Sequence, residues 1–417
     1  MWKRIVRLGI LASLAPAVAA KEPPTDSPSQ TPAHKPFASG PNPNPFADPF
    51  FAPPDGRPVM EPHRAGSGAA PPDTLVTAPA PFRPERLWLA TDFYFATAQG
   101  TILPALATSS PNGTPFGAAG ALNQPNTTVL FGGRRELTQF RPGLRATAGL
   151  WLTEDYRFGV DGTFLYLGDT SSSFLGTTGP NGPVLAQPVF QGSTGTQVGV
   201  PVGRDAPGTL SARARSAVIG GDVNFRYGLT TSELGRLDVL MGYRYMNLRD
   251  SVEVESTNAF ADLPQSTRTV SDHFRTLNQF HGAQVGLGGT HRLFDRLTLT
   301  TKATVAIGVD ISDVTIRGQT VSPLGTTDGG LLTGPSNIGN YREHYFSVIP
   351  EGTVKFGWDF TDRLRLNAGY SFLYWSRVRR AADQIDPAIQ TVNRPAFAND
   401  STDYWIQGWT VGLDLRY

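Results

Sequence analysis

The chain of 417 residues contains no cysteine, which excludes disulfides, thiolate metal sites and a lipid-anchored cysteine. Charged residues make up only 17% of the chain, and the formal net charge is +1. This balance gives no reason to expect nucleic acid as a partner. Long apolar runs are also lacking, because no segment approaches the ~20 consecutive apolar residues of a membrane helix.

Glycine, proline and aromatic residues are abundant instead, with 45 Gly, 35 Pro and 10% aromatics. A glycine-rich, aromatic-rich and charge-poor composition is unusual for a soluble domain and ordinary for a membrane β-barrel.

The first 20 residues have the features of a cleaved signal peptide. Basic residues at positions 3, 4 and 7 precede an apolar run from Leu8 to Val18, and Ala17 and Ala19 supply the small residues of a cleavage site. Residues 21–84 hold about half of the prolines and lack apolar periodicity. We expect a disordered, proline-rich periplasmic linker there, and the barrel domain over 85–417.

From residue 86 onward, apolar and polar residues alternate with a period of two. Leu297, Leu299, Ala303 and Val305 share one face of such a segment. Ten segments of this kind, each long enough for a tilted membrane strand, can be delimited. Their limits are 86–96, 143–152, 156–167, 212–227, 236–248, 277–291, 297–310, 345–360, 364–375 and 404–417.

The connections alternate strictly between short turns and long loops. Four turns near 153–155, 228–235, 293–296 and 361–363 separate five excursions of 28 residues or more. The pattern predicts an all-β fold, an antiparallel up-and-down transmembrane barrel of ten strands with periplasmic turns and extracellular loops. Twelve strands remain the alternative if Thr127 to Arg134 or Val252 to Glu255 forms separate spans.

The alternation also predicts which side chains face the lumen. The apolar face lacks Lys, Arg, Asp and Glu at its middle positions, so Leu299, Val305, Leu366 and Phe372 are expected to face lipid. Ten charged residues on the opposite face are candidates for the lumen: Asp92, Arg145, Asp161, Asp222, Arg226, Arg244, Lys302, Glu351, Lys355 and Arg365.

The last segment is apolar at every second position and finishes on an aromatic residue. Its outward set is Trp409, Val411, Leu413, Leu415 and Tyr417. This pattern is similar to the C-terminal signal of outer-membrane substrates, so we expect the barrel-assembly machinery and periplasmic chaperones to act as partners during biogenesis. Outer-membrane lipid would surround the assembled barrel.

Several stretches resemble the seventh family of putative β-barrel porins. They include Leu87 to Tyr94, Leu103 to Leu106, Val129 to Gly133, Leu240 to Tyr245, Asp272 to Gly282, and Gly369 to Ser376 with Asp383 to Asp386. The resemblance covers about residues 86–417. It implies an outer-membrane location, and it carries no established active site.

The sequence offers little sign of catalysis or metal binding. Asp272-His273 and His281 share one stretch, but no nucleophile motif lies near them. The pairs Asp310/Asp313 and Asp383/Asp386 are better explained as solvated loop residues than as cation ligands. We therefore assign no catalytic residue, cofactor or metal site, and we expect a protein that is not an enzyme.

Two functions remain open on the sequence alone. A ten-stranded barrel is close to the size that side chains fill, and paired inward charges favour a narrow bore. We expect Asp359 opposite Arg365, and Asp161 opposite Thr147 and diagonal to Arg145. Inward glycines either widen the bore or allow strand coiling. Porin-like passage of small solutes is the favoured hypothesis, and a closed barrel with a structural or adhesin-like role of flexible Ser/Thr/Gly-rich loops is the alternative.

Overall fold

The computed structural model describes residues 86–263 and 266–417, and the predicted signal peptide and linker lie outside them. Ten long strands form the barrel: β1 (Leu87–Ala98), β2 (Arg141–Trp151), β3 (Phe158–Thr178), β4 (Gly208–Ser232), β5 (Gly235–Ala259), β6 (Thr267–Phe294), β7 (Leu297–Ser322), β8 (Gly339–Asp359), β9 (Leu364–Val378) and β10 (Thr402–Arg416).

Each strand pairs antiparallel with its sequence neighbour, and β1 pairs with β10 to close the ring. At this closure Leu87 and Tyr417 exchange two backbone hydrogen bonds, of 2.9 and 2.8 Å. Ten antiparallel strands in a closed barrel confirm the predicted fold class. The twelve-strand alternative is wrong, because residues 252–255 continue β5 and residues 128–131 lie outside the ring.

The wall is much taller on one side than on the other. Strands β3 to β8 have 21 to 28 residues, whereas β1, β2, β9 and β10 have 11 to 15. Large parts of the predicted loops 168–211, 249–276 and 311–344 are therefore strand. The short turns and both ends of the barrel sequence share one rim, which is the periplasmic one in barrels of this kind.

Shorter elements fold over the opposite rim. One small sheet combines Ala107–Ser110, Thr128–Phe131, Val184–Gln191, Thr196–Val202 and Ala388–Ile389. The remaining elements are strands Thr101–Ile102, Arg135–Glu136 and Gly325–Asp328 and a 3-10 helix, Ala382–Gln384. No helix among the described residues is long and apolar enough to cross a membrane.

The faces of the strands follow the predicted alternation. Val305, Leu366 and Phe372 are exposed on the outer face and Leu299 is half-exposed, while Lys302 and Glu351 point inward. Pro350 lies within β8 and pairs in regular register with Val305 on β7. The ladder between β8 and β9 ends beside it, at Glu351 and Leu373. Proline has no backbone N–H to donate to a ladder, so it is tolerated at a position where the pairing with β9 has already ended.

Candidate functional site

The lumen holds the charged residues that the alternation selects. Seven of the ten candidates are buried, and Arg226, Lys302 and Lys355 are half-buried. They come from strands β1 to β5 and β7 to β9 and meet across the bore. We call the ion-paired group around Glu351 the charge belt; it consists of Arg145, Asp222, Arg244, Lys302 and Glu351.

Glu351 is the centre of the charge belt. Its carboxylate lies 2.7 Å from the guanidinium of Arg145 and also pairs with Arg244. Asp222 continues the network, at 3.3 Å from Arg244 and 3.2 Å from the ammonium of Lys302. The five residues lie on five different strands, so the network crosses the lumen and occupies it.

A second ion-paired group lies between the charge belt and the periplasmic turns. Arg226 contacts Asp161 at 2.5 Å and Asp238 at 3.1 Å, and Asp238 also pairs with Arg236 at 2.6 Å. Arg236 and Asp238 were not among the sequence candidates. Both share the phase of Arg244 on β5, so extending the alternation to the start of that strand would have found them.

Three further ion pairs line the lower lumen. Asp359 lies opposite Arg365 as predicted, with their charged atoms 2.7 Å apart, and Asp359 also pairs with Arg416 at 2.6 Å. Lys355 pairs with Asp92.

One cross-strand prediction is wrong. Asp161 lies opposite Gly149, not opposite Thr147, which pairs with Thr163. The turn between β2 and β3 is longer than the three residues 153–155, and Tyr156 within it takes a positive φ of 55°. The longer turn shifts the register by two residues, so Asp161 pairs with Arg226 on β4 instead of approaching Arg145.

The inward glycines do not widen the bore. Side chains or backbone atoms of neighbouring strands approach them closely. At Gly149, an added Cβ would lie 2.0 Å from the indole ring of Trp88. At Gly242, it would lie 2.0 Å from the carbonyl oxygen of Val223 on the neighbouring strand. The space that these residues leave is therefore already occupied.

Above the charge belt, toward the extracellular side, the interior becomes apolar. We call this region the apolar layer; its fully buried large side chains include Tyr94, Leu248, Phe280, Trp375 and Tyr404. The rings of Phe280 and Trp375 meet edge to face at 6.3 Å. Strands β1, β5, β6, β9 and β10 contribute to it, so packed, mainly apolar side chains fill the lumen at this height. Buried polar groups border them, namely Asp310 opposite Phe280 and Arg380 at 5.1 Å from the Tyr404 ring.

The long connections close the extracellular end with a core of their own. We call this part the cap; it comprises residues 99–140, 179–207, 329–338 and 379–401. Leu103, Phe131, Val189 and Ile385 of the cap are buried against inward residues of the tall strands, such as Phe274. The expectation of flexible loops is therefore not met between Thr170 and Gly203. Most residues of this stretch belong to three strands, and several of them join a buried cluster.

A cavity of about 280 Å³ remains below the charge belt. We call it the vestibule. Its walls include Trp88, Trp151, Asp359 and Arg416, which adjoin the periplasmic turns, and Arg145 and Glu351 form part of its ceiling. The lumen thus consists of a vestibule that opens on one side, a charge belt, an apolar layer and a cap.

The possible catalytic and metal-binding residues do not come together. Asp272 points inward and accepts bonds from Leu332 N at 3.0 Å and Thr333 Oγ at 2.7 Å. His273 lies on the opposite face of the strand, exposed. Asp386 is bound to Arg394 at 2.7 Å. Residues 86–263 and 266–417 contain no group of three His, Asp or Glu that could hold a metal ion.

Comparisons with known proteins agree with this architecture. The model of the family described as Putative beta barrel porin-7 (BBP7) matches residues 88–417. No curated protein sequence matches the chain.

Solved outer-membrane barrels align with the chain only loosely. The outer membrane protease OmpT from Escherichia coli has a TM-score of 0.39 at 10% identity, covering 83% of this chain and 99% of its own. A FadL homologue from Pseudomonas aeruginosa has a TM-score of 0.22 at 10% identity, with 79% and 89% covered. The toluene transporter TodX from Pseudomonas putida has a TM-score of 0.22 at 11% identity, with 80% and 90% covered. Alignments this loose transfer no activity.

Proposed function

Because this chain belongs to the Putative beta barrel porin-7 family and is an outer-membrane β-barrel, we propose that it is a barrel closed to free diffusion. In this proposal it anchors the folded cap at the cell surface, where the cap has a structural or binding role. The protein is not an enzyme in this proposal, since Asp272 and His273 point to opposite faces of β6.

The apolar layer is the observation that carries the proposal. Trp375 and Tyr404 lie opposite each other on β9 and β10, and both side chains are 0% exposed. Ions cross a lumen filled with packed, mainly apolar side chains only at a large cost in free energy, because such packing leaves no room for their hydration water. The charge belt below and the cap above add two further obstacles.

Porin-like passage of small solutes is the second candidate function. The vestibule favours it, because a cavity already lies between the periplasmic turns and the charge belt. Passage would require the apolar layer and the cap to rearrange together. The two candidates therefore differ in whether the barrel conducts at rest.

Conductance of the refolded protein in planar bilayers tests the proposal directly. We expect insertion, checked by heat-modifiable migration, without steady ohmic current. A stable conductance in most inserted molecules would refute closure and support porin-like passage.

A pair of matched double variants locates the barrier. Trp375→Ala with Tyr404→Ala removes two rings from the apolar layer, and we expect ion leakage to rise. Tyr370→Ala with Trp409→Ala removes an aromatic pair from the outer face of the same two strands, where the rings lie 5.2 Å apart. This control should leave the bilayer current unchanged. Equal leakage from both variants would show that the apolar layer is not the barrier.

Export by the signal peptide at 1–20 and recognition of Trp409, Val411, Leu413, Leu415 and Tyr417 by the assembly machinery stay predictions. The backbone of Tyr417 closes the barrel against Leu87, and its side chain is exposed. Replacing Tyr417 with Asp should reduce the amount of folded protein in outer membranes more than the same change at Arg416 does. Equal amounts of the two variants would remove this role.

A further inference from the structure

The vestibule presents more positive than negative charge. Eight of its lining side chains are Arg or Lys, and five are Asp or Glu. A concave site with a surplus of one sign concentrates the field inside it, since the surrounding protein and lipid have a low dielectric constant. A solute that enters from the periplasm therefore meets a positive potential.

The arrangement of the ion pairs strengthens this asymmetry. Three cations, Arg226, Lys302 and Lys355, keep 15–22% of their side-chain surface exposed. The carboxylates that pair with them keep only 1–4%, and these are Asp161, Asp222 and Asp92. These three acids thus lie behind their cations, so at each of these pairs the ammonium or guanidinium group is what a solute contacts.

Arginine side chains cover the two tryptophan rings in the wall of the vestibule. The guanidinium of Arg236 lies 3.8 Å from the ring centroid of Trp151, and that of Arg226 lies 5.4 Å from Trp88. These cations cover the indole faces on which a flat ligand would stack. Selection in the vestibule therefore depends on charge and hydrogen-bond donors, and the hydroxyl of Thr300 is a further donor.

We propose that the vestibule is a binding site for a small organic anion that carries carboxylate or phosphate groups and enters from the periplasm. The cavity, at about 280 Å³, has the size of a small-metabolite pocket. Guanidinium and ammonium groups are the side chains that bind such groups most strongly. The site does not depend on conduction, because the vestibule lies wholly on the periplasmic side of the apolar layer.

Asp359 differs from these three acids in its exposure, and replacing it tests whether anion affinity changes in the opposite direction. Asp359 keeps 25% of its side-chain surface exposed, and it pairs with both Arg365 and Arg416. Asp359→Asn would remove the most exposed carboxylate of these ion pairs and leave the positive charges of Arg365 and Arg416 less compensated at the cavity. Anion affinity should therefore rise in this variant.

Calorimetric titration of the folded protein in detergent, with citrate as the probe at low ionic strength, tests the proposal. We expect saturable binding that added salt weakens. Lys302→Gln should weaken citrate binding by about five- to tenfold, and Asp359→Asn should strengthen it by about twofold or more. Asp222 keeps Arg244 as a partner in the Lys302 variant, so the fold should persist.

Arg342→Gln is the matched control. Arg342 pairs with Asp313 at 2.6 Å on the extracellular part of the wall, far along β8 from the vestibule. Its loss should leave citrate binding unchanged. Absence of saturable binding, equal affinity in the Lys302 and Arg342 variants, or weaker binding in Asp359→Asn would each overturn the proposal. The titration involves no bilayer, so its outcome is separate from that of the conductance experiment.

Discussion

The lower and upper halves of the lumen are built by the same strands and the same face of the pleat, yet the lower half is lined by charged residues and the upper half mainly by apolar ones. On β5, the inward series runs from Arg244 through Met246 to Leu248, and on β1 Asp92 is followed by Tyr94. A strand rises about 3.3 Å per residue, so the change takes place within ~7 Å. Alternation therefore shows which face is inward, but it does not show whether the lumen at that height is polar or apolar.

The two halves resist disruption for different reasons. The charge belt depends on each charge having its partner, because an unpaired ion in a buried site is costly. The apolar layer depends on packing, and its loss creates a cavity. Variants in the two halves should therefore differ in kind as well as in magnitude.

The largest effect is expected at the centre of the charge belt. Glu351→Gln removes the carboxylate that Arg145 and Arg244 share and leaves two buried guanidinium groups undercompensated. The free energy of unfolding in urea should fall by about 3–5 kcal/mol. Asp313→Asn, which breaks the exposed pair with Arg342, should cost at most ~1 kcal/mol. Similar losses in both variants would mean that the belt contributes no more than a surface ion pair.

The apolar layer should be nearly as sensitive, through packing alone. Trp375→Ala deletes a fully buried ring, and we expect a loss of about 3–5 kcal/mol in the free energy of unfolding. Trp409→Ala on the outer face removes a ring that is 63% exposed, so the loss should be roughly 0.5–1.5 kcal/mol. The urea midpoints of the two variants measure the difference. A larger loss at Trp409 would contradict the assignment of faces on these strands.

A charge added to one strand should distinguish lipid from vestibule. Val305→Arg places a guanidinium on the outer face of β7 and should cost about 2–4 kcal/mol in a bilayer. Thr300→Arg points into the vestibule and should cost much less. Thr304 is unsuitable as the control, because it is buried and packs beside Gly286. Unfolding from bilayers measures both variants, and equal costs would remove the inside-outside assignment of β7.

The smallest effect concerns the pH response of the cap. Burial raises the pKa of the Asp383 carboxyl to about 6, although the charge of Arg380 opposes this. The folded cap then binds a proton that the unfolded chain has released, so stability should fall as the pH rises from about 4 to 6. Asp383→Asn should flatten this dependence. Limited proteolysis of the cap at pH 4.5 and pH 7 measures it, and the same pH response in both proteins would exclude Asp383 as its source.

Much of the barrel follows from local pattern. The outward positions of Val305 and Leu366 were predictable, because a strand between lipid and lumen must alternate with a period of two. The pair Asp359 and Arg365 was predictable too, since a tight turn connects their strands and leaves one register available. The predicted partner of Asp161 was wrong, because the longer turn between β2 and β3 allows more than one register.

The cap and the apolar layer could not be predicted in this way. Residues between Thr170 and Gly203 are rich in Ser, Thr and Gly, which is typical of loops, yet they form strands because the tall wall and the neighbouring connections supply hydrogen-bond partners. Leu103 and Ile385 lie 282 positions apart in the sequence and share one buried cluster. No periodicity encodes such a contact.

The strand number, the face that each residue presents and the charged character of the lower lumen could be predicted from local pattern, because they depend on repeats within single strands. Three features became visible only in the folded barrel: charges pair across the bore, neighbouring groups fill the space beside the inward glycines, and the connections close the extracellular end. Those outcomes depend on which side chains meet from different strands. The bore of a ten-stranded barrel is narrow enough for all of them to meet.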